Sequence, residues 1–211
     1  MSVATSLPTP SANRLCLEFA NLPLASGDPV ERPIFWDEFV DFLAAKQIIS
    51  AEKTPHIRAL AETDPQAAQN LLNHAERLGK ALRNSFRAVL KGQEIPPEVA
   101  QPINQVLRVT EGHDELQWEG SAWRLGFVAR EEGLEWLLAA IARSGAELIA
   151  RGGGDRLKQC ANPDCRILFY DDSRTRRRRW CAMALCGNRS KVAAFARRNH
   201  GEEEKARAQH A

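Results

Sequence analysis

The chain has 211 residues, of which 44% are hydrophobic and 27% are charged. This is the composition of an ordinary globular protein, and it argues against disorder along the whole length. The longest apolar runs, such as Leu137 to Ala142, are far too short for a membrane helix, which needs about 20 apolar residues. The first ten residues lack the basic start and apolar block of a secretory signal, so we expect a cytoplasmic protein without membrane association.

The net charge of +2 hides a separation of charge along the sequence. Between Arg156 and Arg198 there are twelve basic residues and only three acidic ones, which gives this segment a charge of +9. The remainder of the chain carries −7. A basic segment next to an acidic body indicates a polyanionic partner for the basic segment, although charge alone says nothing about the fold.

The N-terminal part of the sequence predicts mainly helices. The apolar segment from Leu15 to Ala20 is compatible with a strand or with the first turn of a helix. From Phe35 to Gln47 the apolar residues recur at helical spacing. Asp64 and Pro65 form an N-cap and first-turn pair, and apolar residues then repeat every three or four positions until Gly92, which predicts a long helix.

Beyond this long helix the pattern changes to a hairpin and back to a helix. A shorter helix should follow Pro96, with Pro102 either kinking it or marking its true start. Alternating apolar residues from Leu116 to Phe127, around a turn at residues 119–122, predict a β-hairpin. A further amphipathic helix is expected from Leu134 to Arg151.

A run of three glycines, residues 152–154, marks the predicted domain boundary, because glycines break a helix and allow the conformations of a linker. We therefore expect an α+β protein with a mainly helical N-terminal domain that contains the β-hairpin, over residues 1–152. A small treble-clef-like zinc-binding module should follow over residues 155–200. Residues 201–211 are highly charged and lack an apolar face, so they should form a frayed tail.

Four of the five cysteines have the spacing of a metal site. Four residues separate Cys160 from Cys165, and four separate Cys181 from Cys186. In a reducing compartment such a cluster favours metal over disulfides. Four thiolates fill the tetrahedral shell of a structural Zn²⁺ and leave no position for catalytic water. The alternative is four reduced cysteines without metal, in a segment that is too short and too charged to fold by apolar burial alone.

Around these cysteines the pattern predicts two short elements. Ile167, Phe169 and Trp180 are expected on the two sides of a small hairpin, with residues 171–175 turning the chain. After Cys186 the apolar spacing predicts a helix. Two turns that hold the cysteines, a hairpin and a final helix occur in a treble-clef-like order.

Several residues near these elements are expected to have structural roles. Asp171 should pair with a nearby arginine and hold the hairpin. Trp180 should pack over the zinc site rather than stack on a base. Trp118, Trp123 and Trp136 are expected in the core.

Nine basic residues are candidate contacts to nucleic acid. Their density next to a rigid metal site favours contacts to phosphates, and the alternative is a solvated surface without a partner. They are Arg174, Arg176, Arg177, Arg178, Arg179, Arg189, Lys191, Arg197 and Arg198.

Several motifs resemble a known family. The segments Cys-Ala-Asn-Pro-Asp-Cys at 160–165, Phe-Tyr-Asp at 169–171, Arg-Arg-Trp-Cys at 178–181 and Cys-Gly-Asn-Arg at 186–189 are similar to the CGNR zinc finger. Leu-Cys-Leu-Glu-Phe-Ala-Asn at 15–21 resembles the opening motif of the ABATE domain, which usually precedes this finger in proposed stress-induced transcription regulators. The resemblance implies zinc and DNA binding, and it supplies no ligand or reaction for the N-terminal domain.

The sequence thus favours a zinc-dependent DNA-binding regulator. RNA binding stays open as an alternative, because arginines and an exposed aromatic residue also suit single strands. A second alternative is a protein-interaction module whose basic face docks on an acidic partner or on the acidic body. An enzyme has the least support, since the chain lacks a phosphate-binding glycine loop, a HExxH pair and a Gly-x-Ser-x-Gly elbow. One small module contacts little DNA, so a homodimer is compatible with specific binding.

Overall fold

The structure is a computed structural model of the chain, and it describes residues 12–24, 32–118, 123–131, 133–152, 154–188 and 190–192. Within these ranges a mainly helical region with a hairpin precedes a small second sheet, which confirms the predicted α+β class. The helices are α1 (Ala12–Asn21), α2 (Trp36–Ala45), α3 (Thr54–Thr63), α4 (Pro65–Leu90), α5 (Pro97–Val109) and α6 (Trp136–Ala150), and the strands are β1 (Gly112–Trp118), β2 (Trp123–Ala129), β3 (Leu157–Gln159) and β4 (Leu168–Tyr170).

Helix α1 resolves the ambiguous apolar segment near the N-terminus. Its buried residues include Leu15, Cys16, Phe19 and Ala20, a spacing that places them along one side of a helix. Glu18 remains exposed. The helix packs against α4 and α6, so it lies at the centre of the N-terminal core.

Helix α4 begins and ends where the sequence predicts. The carboxylate of Asp64 accepts a hydrogen bond from the N–H of Ala67 at 3.0 Å, and Pro65 occupies the first helical position. Gly92 follows the helix with a φ of +63°, the left-handed conformation that glycine adopts most readily. The buried stripe of this helix, which includes Leu78 and Phe86, forms much of the core.

Two helices need comment. Helix α3 was not predicted from the sequence; only Ile57 among its residues is buried, so its apolar signal is sparse. Helix α5 follows Pro96 as predicted and starts at Pro97, so Pro102 lies inside the helix and does not mark its start. Pro102 has no N–H to donate to the carbonyl of Glu98, and packing against α4 and α6 outweighs that loss.

Strands β1 and β2 confirm the predicted hairpin, although its turn at residues 119–122 lies outside the described residues. Trp118 pairs with Trp123 across the strands, with ring centroids 5.6 Å apart. Both side chains are more than half exposed, so their predicted core position is wrong, whereas Trp136 is buried as expected. The reason is that alternation along a strand identifies one face of a two-stranded sheet, but it does not supply a second layer to cover that face.

The second sheet pairs β3 with β4, so that Leu157 lies opposite Tyr170 and Gln159 lies opposite Leu168. The predicted hairpin between the Ile167 region and Trp180 is therefore wrong. Leu157 and Leu168 are buried in the same core as α1 and α4. The segment that leads to Trp180 contains aspartate, serine, threonine and arginine, and it has no apolar side chain for this core.

The side chain of Asn21 joins α1 to β4. Its Nδ2 donates to the carbonyl of Leu168 at 2.7 Å, and its Oδ1 accepts from the N–H of Leu168 at 3.0 Å. The main-chain N–H of Cys160 donates to the carbonyl of Ile167. Main-chain groups alternate in direction along a strand, so the N–H and C=O of the next residue, Leu168, point away from β3. The carboxamide of Asn21 thus takes the place of a third strand at this edge.

Replacing Asn21 with alanine should lower the stability of the folded protein. The substitution leaves the N–H and C=O of Leu168 unbonded, which costs about 1–3 kcal/mol. We expect the Tm to fall by roughly 2–4 °C for each kcal/mol, measured by thermal denaturation. Asn73→Ala on α4 is the matched control, because the amide of Asn73 makes an exposed bond to Gln69. Equal melting temperatures for the two variants would contradict a joining role for Asn21.

Candidate metal centre and arginine loop

Four cysteine side chains converge in the C-terminal module. The Sγ atoms of Cys160, Cys165, Cys181 and Cys186 all lie within 4.8 Å of one another. Cys160 follows β3, and Cys186 lies in a single π-helical turn, Met183–Gly187. All four are buried except Cys181, which is half-buried. The structure therefore brings together every cysteine that the spacing selects.

The donor set fits a zinc ion. Four Zn–S bonds of about 2.3 Å in a tetrahedron place the sulfur atoms about 3.8 Å apart. The Sγ of Cys181 is 3.8 Å from the Sγ of Cys165 and 3.7 Å from the Sγ of Cys186. These separations are far longer than a disulfide bond of about 2.05 Å.

Two N–H groups point at the sulfur atoms. The main-chain N–H of Cys181 is 3.5 Å from the Sγ of Cys160, and the Nδ2 of Asn162 is 3.7 Å from the Sγ of Cys186. Such donors stabilise thiolate ligands and orient them toward a metal. Burial raises the pKa of the Cys165 thiol to about 11. A cation must therefore displace the proton of Cys165 before this residue binds it as a thiolate.

Residues next to Cys186 shape the turn in which it lies. A side chain on Gly187 would displace the side chain of Met183, whose Sδ would be only 2.4 Å from the added Cβ. The Nδ2 of Asn188 donates to the carbonyl of Ala184 at 3.1 Å. Helical backbone continues at Asn188 and over residues 190–192. The glycine and the asparagine of the Cys-Gly-Asn-Arg motif thus support the metal turn.

Asp171 is a buried carboxylate beside the metal centre, with no exposed surface. It accepts hydrogen bonds from the Nζ of Lys158 at 2.6 Å, from the Oγ of Ser173 at 2.6 Å and from the N–H of Arg178 at 2.8 Å. The ammonium of Lys158, followed by Ser173, holds the pKa of this carboxyl well below its usual range. The predicted arginine partner is thus wrong: the side chain that pairs with Asp171 is a lysine, and Arg178 contributes only its main-chain N–H.

The arginine loop, which we define as residues 173–179, has a main chain that is fixed from the inside. Arg156 donates from Nη1 to the carbonyls of Asp171 at 2.9 Å and Ser173 at 3.3 Å. Lys158 donates from Nζ to the carbonyl of Arg176 and, at 3.3 Å, to that of Arg178. Interior polar groups therefore determine the path of the loop.

The side chains of the arginine loop have different contacts. The guanidinium of Arg178 donates to the carbonyls of Trp180 (2.9 Å) and Cys181, and it stacks on the ring of Phe169 at 4.9 Å. Arg179 stacks on Trp180 at 5.2 Å. Arg178 therefore braces the metal centre, and Arg179 contacts the ring of Trp180; both residues are exposed.

Four of the remaining candidate contacts are exposed residues of the described part of the chain. Arg176 is exposed and lies 3.3 Å from the carboxylate of Asp155, and its φ of +52° is uncommon for a residue other than glycine. Arg174, Arg177 and Lys191 are exposed, and they form no ion pair within the part of the chain that the structure describes. The last three candidates, Arg189, Arg197 and Arg198, lie outside the described residues.

Two features of the cysteine cluster bear on the sequence predictions. Trp180 packs against the cluster, which confirms its predicted position over the site. The supporting role of Lys158 and Arg156 was not predicted. Both residues precede the cysteines in β3 and the turn before it, and only the pairing of β3 with β4 brings them to Asp171.

A helical domain followed by a four-cysteine module defines a zinc-finger type of protein. The chain belongs to the ABATE family, whose model, described as "Putative stress-induced transcription regulator", matches residues 13–152. The CGNR zinc finger model matches residues 156–199. Both matches confirm the resemblance and its order along the chain.

Two further comparisons limit the description. No curated protein matches this chain. In the described ranges, no helix combines the length and the apolarity that crossing a membrane requires.

Proposed function

We propose that this chain is a zinc-dependent DNA-binding protein that regulates transcription, and that its C-terminal module binds phosphates through arginines. The family description supports regulation, and the CGNR match supports a zinc finger. The observation that carries the proposal is the arginine loop. Its main chain is held by Asp171, Lys158 and Arg156, while the guanidinium groups of Arg174, Arg177 and Arg179 are exposed.

Cys160, Cys165, Cys181 and Cys186 would hold the Zn²⁺. The ion would act as a structural cross-link, because four thiolates leave no open coordination position for a reaction. We therefore assign the module a binding role and no catalysis.

Prior ordering of the loop favours binding. When an arginine on a flexible loop binds, both its main chain and its side chain lose conformational entropy. When the main chain is already fixed, only the side chain loses conformational entropy. Arg178 acts in this proposal as a positioning residue. Arg174, Arg176, Arg177, Arg179 and Lys191 contact phosphates, and Arg189, Arg197 and Arg198 extend this basic surface along the sequence.

The acidic N-terminal domain determines how the protein is oriented on DNA. Residues 1–152 contain fifteen basic and twenty acidic residues, and this charge of −5 is repelled by DNA, so the basic module faces the duplex and the acidic body faces away. A single module of this size covers roughly 600–1,000 Å² of protein surface, and a specific operator would require a homodimer or deformed DNA. We place this activity in the cytoplasm, in the response to stress that the family description names.

A salt series with the zinc-loaded protein and a duplex of random sequence tests the proposal. The logarithm of the affinity should fall with the logarithm of the salt concentration, and Arg177→Ala should make this slope shallower by about 0.9 for one phosphate lost. Arg108→Ala removes an exposed charge from α5 and should leave the slope unchanged.

Three results would count against DNA binding by this loop. Equal slopes for Arg177→Ala and the parent protein would remove the arginine loop from the interface. Tighter binding to single-stranded RNA than to duplex DNA would favour an RNA-binding module. Absence of binding to either at low salt would favour docking of the basic surface on an acidic protein.

A further inference from the structure

Three apolar residues are exposed between the third and the fourth cysteine of the metal centre. The exposed fraction is 59% for Met183 and 61% for Leu185, and Ala184 between them is also exposed. We call Met183, Ala184 and Leu185 the apolar tip. The phosphate contacts proposed above do not use it.

The apolar tip is rigidly held. Cys181 and Cys186 bracket it, so both of its ends are anchored at the metal centre. The carbonyl of Ala184 accepts the hydrogen bond from Asn188, and the side chain of Met183 lies over Gly187. Contiguous exposed apolar residues are a common mark of interaction sites.

A cationic residue, Arg179, lies next to this tip. Trp180 and Met183 both approach Gly187, so the indole ring of Trp180 borders the tip. Arg179 stacks on that ring, and Lys191 is exposed on the helical segment beyond Cys186. The apolar tip thus lies next to the cation of Arg179, and Lys191 follows it in the sequence. In duplex DNA the bases are apolar on their faces, and phosphates line both sides of each groove.

We infer that the apolar tip enters the minor groove of duplex DNA and that Met183 and Leu185 wedge against a base step. This inference rests on the proposed DNA-binding function and deepens it. Proteins that bind the minor groove insert methionine and leucine side chains between base steps and kink the duplex. Arg179 and Lys191 bind the phosphates that flank the opened step.

A wedge of this kind selects sequences by their deformability. Pyrimidine–purine steps such as TA unstack at a lower cost than other steps. The wedge therefore gives this module a preference for a flexible step without a hydrogen bond to any base.

Two variants test the wedge: Met183→Ala combined with Leu185→Ala, and Leu185→Gln alone. Both substitutions leave the charge unchanged, so the affinity for a TA-containing duplex should fall about tenfold at every salt concentration with the same salt slope. Energy transfer between dyes at the two ends of the duplex should report a bend with the parent protein and a straighter duplex with both variants.

Matched controls separate the wedge from general effects. Val109→Ala removes an exposed apolar side chain from α5 and should change neither the affinity nor the bend. Arg177→Ala should reduce the salt slope and retain the bend. Each variant should bind one zinc per chain and melt within about 2 °C of the parent, since surface substitutions change stability little. Leu185→Gln serves as the second variant because it leaves in place the side chain of Met183, which lies against Gly187.

The outcomes distinguish this inference from the function on which it rests. If the zinc-loaded parent protein fails to bind duplex DNA, both proposals fall. If the parent binds and the double variant binds and bends DNA equally well, only the wedge falls. It also falls if the double variant keeps its DNA affinity and instead loses self-association or binding to vesicles of phosphatidylcholine and phosphatidylserine, because the tip would then be a dimer or membrane contact.

Discussion

Replacing both Cys181 and Cys186 with serine should abolish zinc binding and remove the order of the arginine loop. Structural zinc contributes about 10–16 kcal/mol to the folding of isolated zinc-finger peptides. The segment from Asp171 to Gly187 buries few apolar side chains of its own. Apolar burial therefore cannot replace the metal in keeping this segment folded. DNA binding should consequently be lost at physiological salt.

The loss of order should be local. Leu157 and Leu168 belong to the core of the N-terminal domain, and Asn21 holds the edge of β4 without help from the metal. Hydrogen exchange measured by mass spectrometry should therefore show fast exchange from about residue 171 onward and continued protection of β3 and β4.

Cys16 provides the control for this experiment. It is a fifth cysteine, fully buried in α1, and burial raises the pKa of its thiol to about 12. Cys16→Ala should keep one zinc per chain in elemental analysis, although the loss of a buried side chain lowers the stability of the core. Zinc retained at one per chain in the double serine variant would show that the four-cysteine assignment is wrong.

Zinc affinity should also depend on pH. Thiols have an ordinary pKa of about 8.5, so zinc binding at lower pH displaces protons from the cysteines. The apparent affinity should fall as the pH is lowered from 8 to 6, by about tenfold per pH unit for each proton displaced. Competition with a chelator of known affinity at each pH measures this, and an affinity independent of pH would contradict thiolate ligation.

The second large effect should come from Asp171→Asn. The carboxylate collects hydrogen bonds from Lys158, Ser173 and the N–H of Arg178. An amide of the same size has one acceptor oxygen and two N–H donors, so it would present donors to donors. We expect the Tm to fall by roughly 5 °C or more and the arginine loop to lose its fixed path, with about tenfold weaker DNA binding.

Asp164→Asn is the matched control for Asp171→Asn. Asp164 is an exposed acid in the same module, and the substitution changes the net charge by the same amount. It should leave stability unchanged and should slightly strengthen DNA binding, because a negative charge is removed. Equal effects of the two substitutions would show that net charge, rather than the hydrogen bonds of Asp171, governs the loop.

The pH dependence of these two variants follows from the pKa of Asp171. The contacts of Asp171 lower the pKa of its carboxyl in the folded state below the ordinary aspartate value of about 3.9. The ionised carboxylate therefore stabilises the fold fully above that ordinary value, and this stabilisation is lost only as the pH falls through the lower pKa of the folded state. The difference in stability between the parent protein and Asp171→Asn should thus be constant from pH 6 to pH 8. Any change in DNA binding within that window then arises from other groups.

The sequence by itself determined the features that depend on local spacing. The long helix α4 could be predicted because Asp64 and Pro65 mark its start and Gly92 marks its end. The cysteine spacing selected four residues that the structure brings together, since each pair lies within one short turn. The hairpin β1–β2 could be predicted because alternation is a property of each strand.

Only the tertiary structure decided which surfaces are covered and which strands pair. Alternation could not show that Trp118 and Trp123 are exposed, because no local signal reports a missing layer. The partner of β4 was mispredicted because β3 precedes the first cysteine pair in the sequence, whereas β4 follows it. Lys158, and not an arginine, reaches Asp171 for the same reason. Strand pairing and burial depend on residues far apart in the chain, and they are fixed when Leu157 and Leu168 join the core around α1.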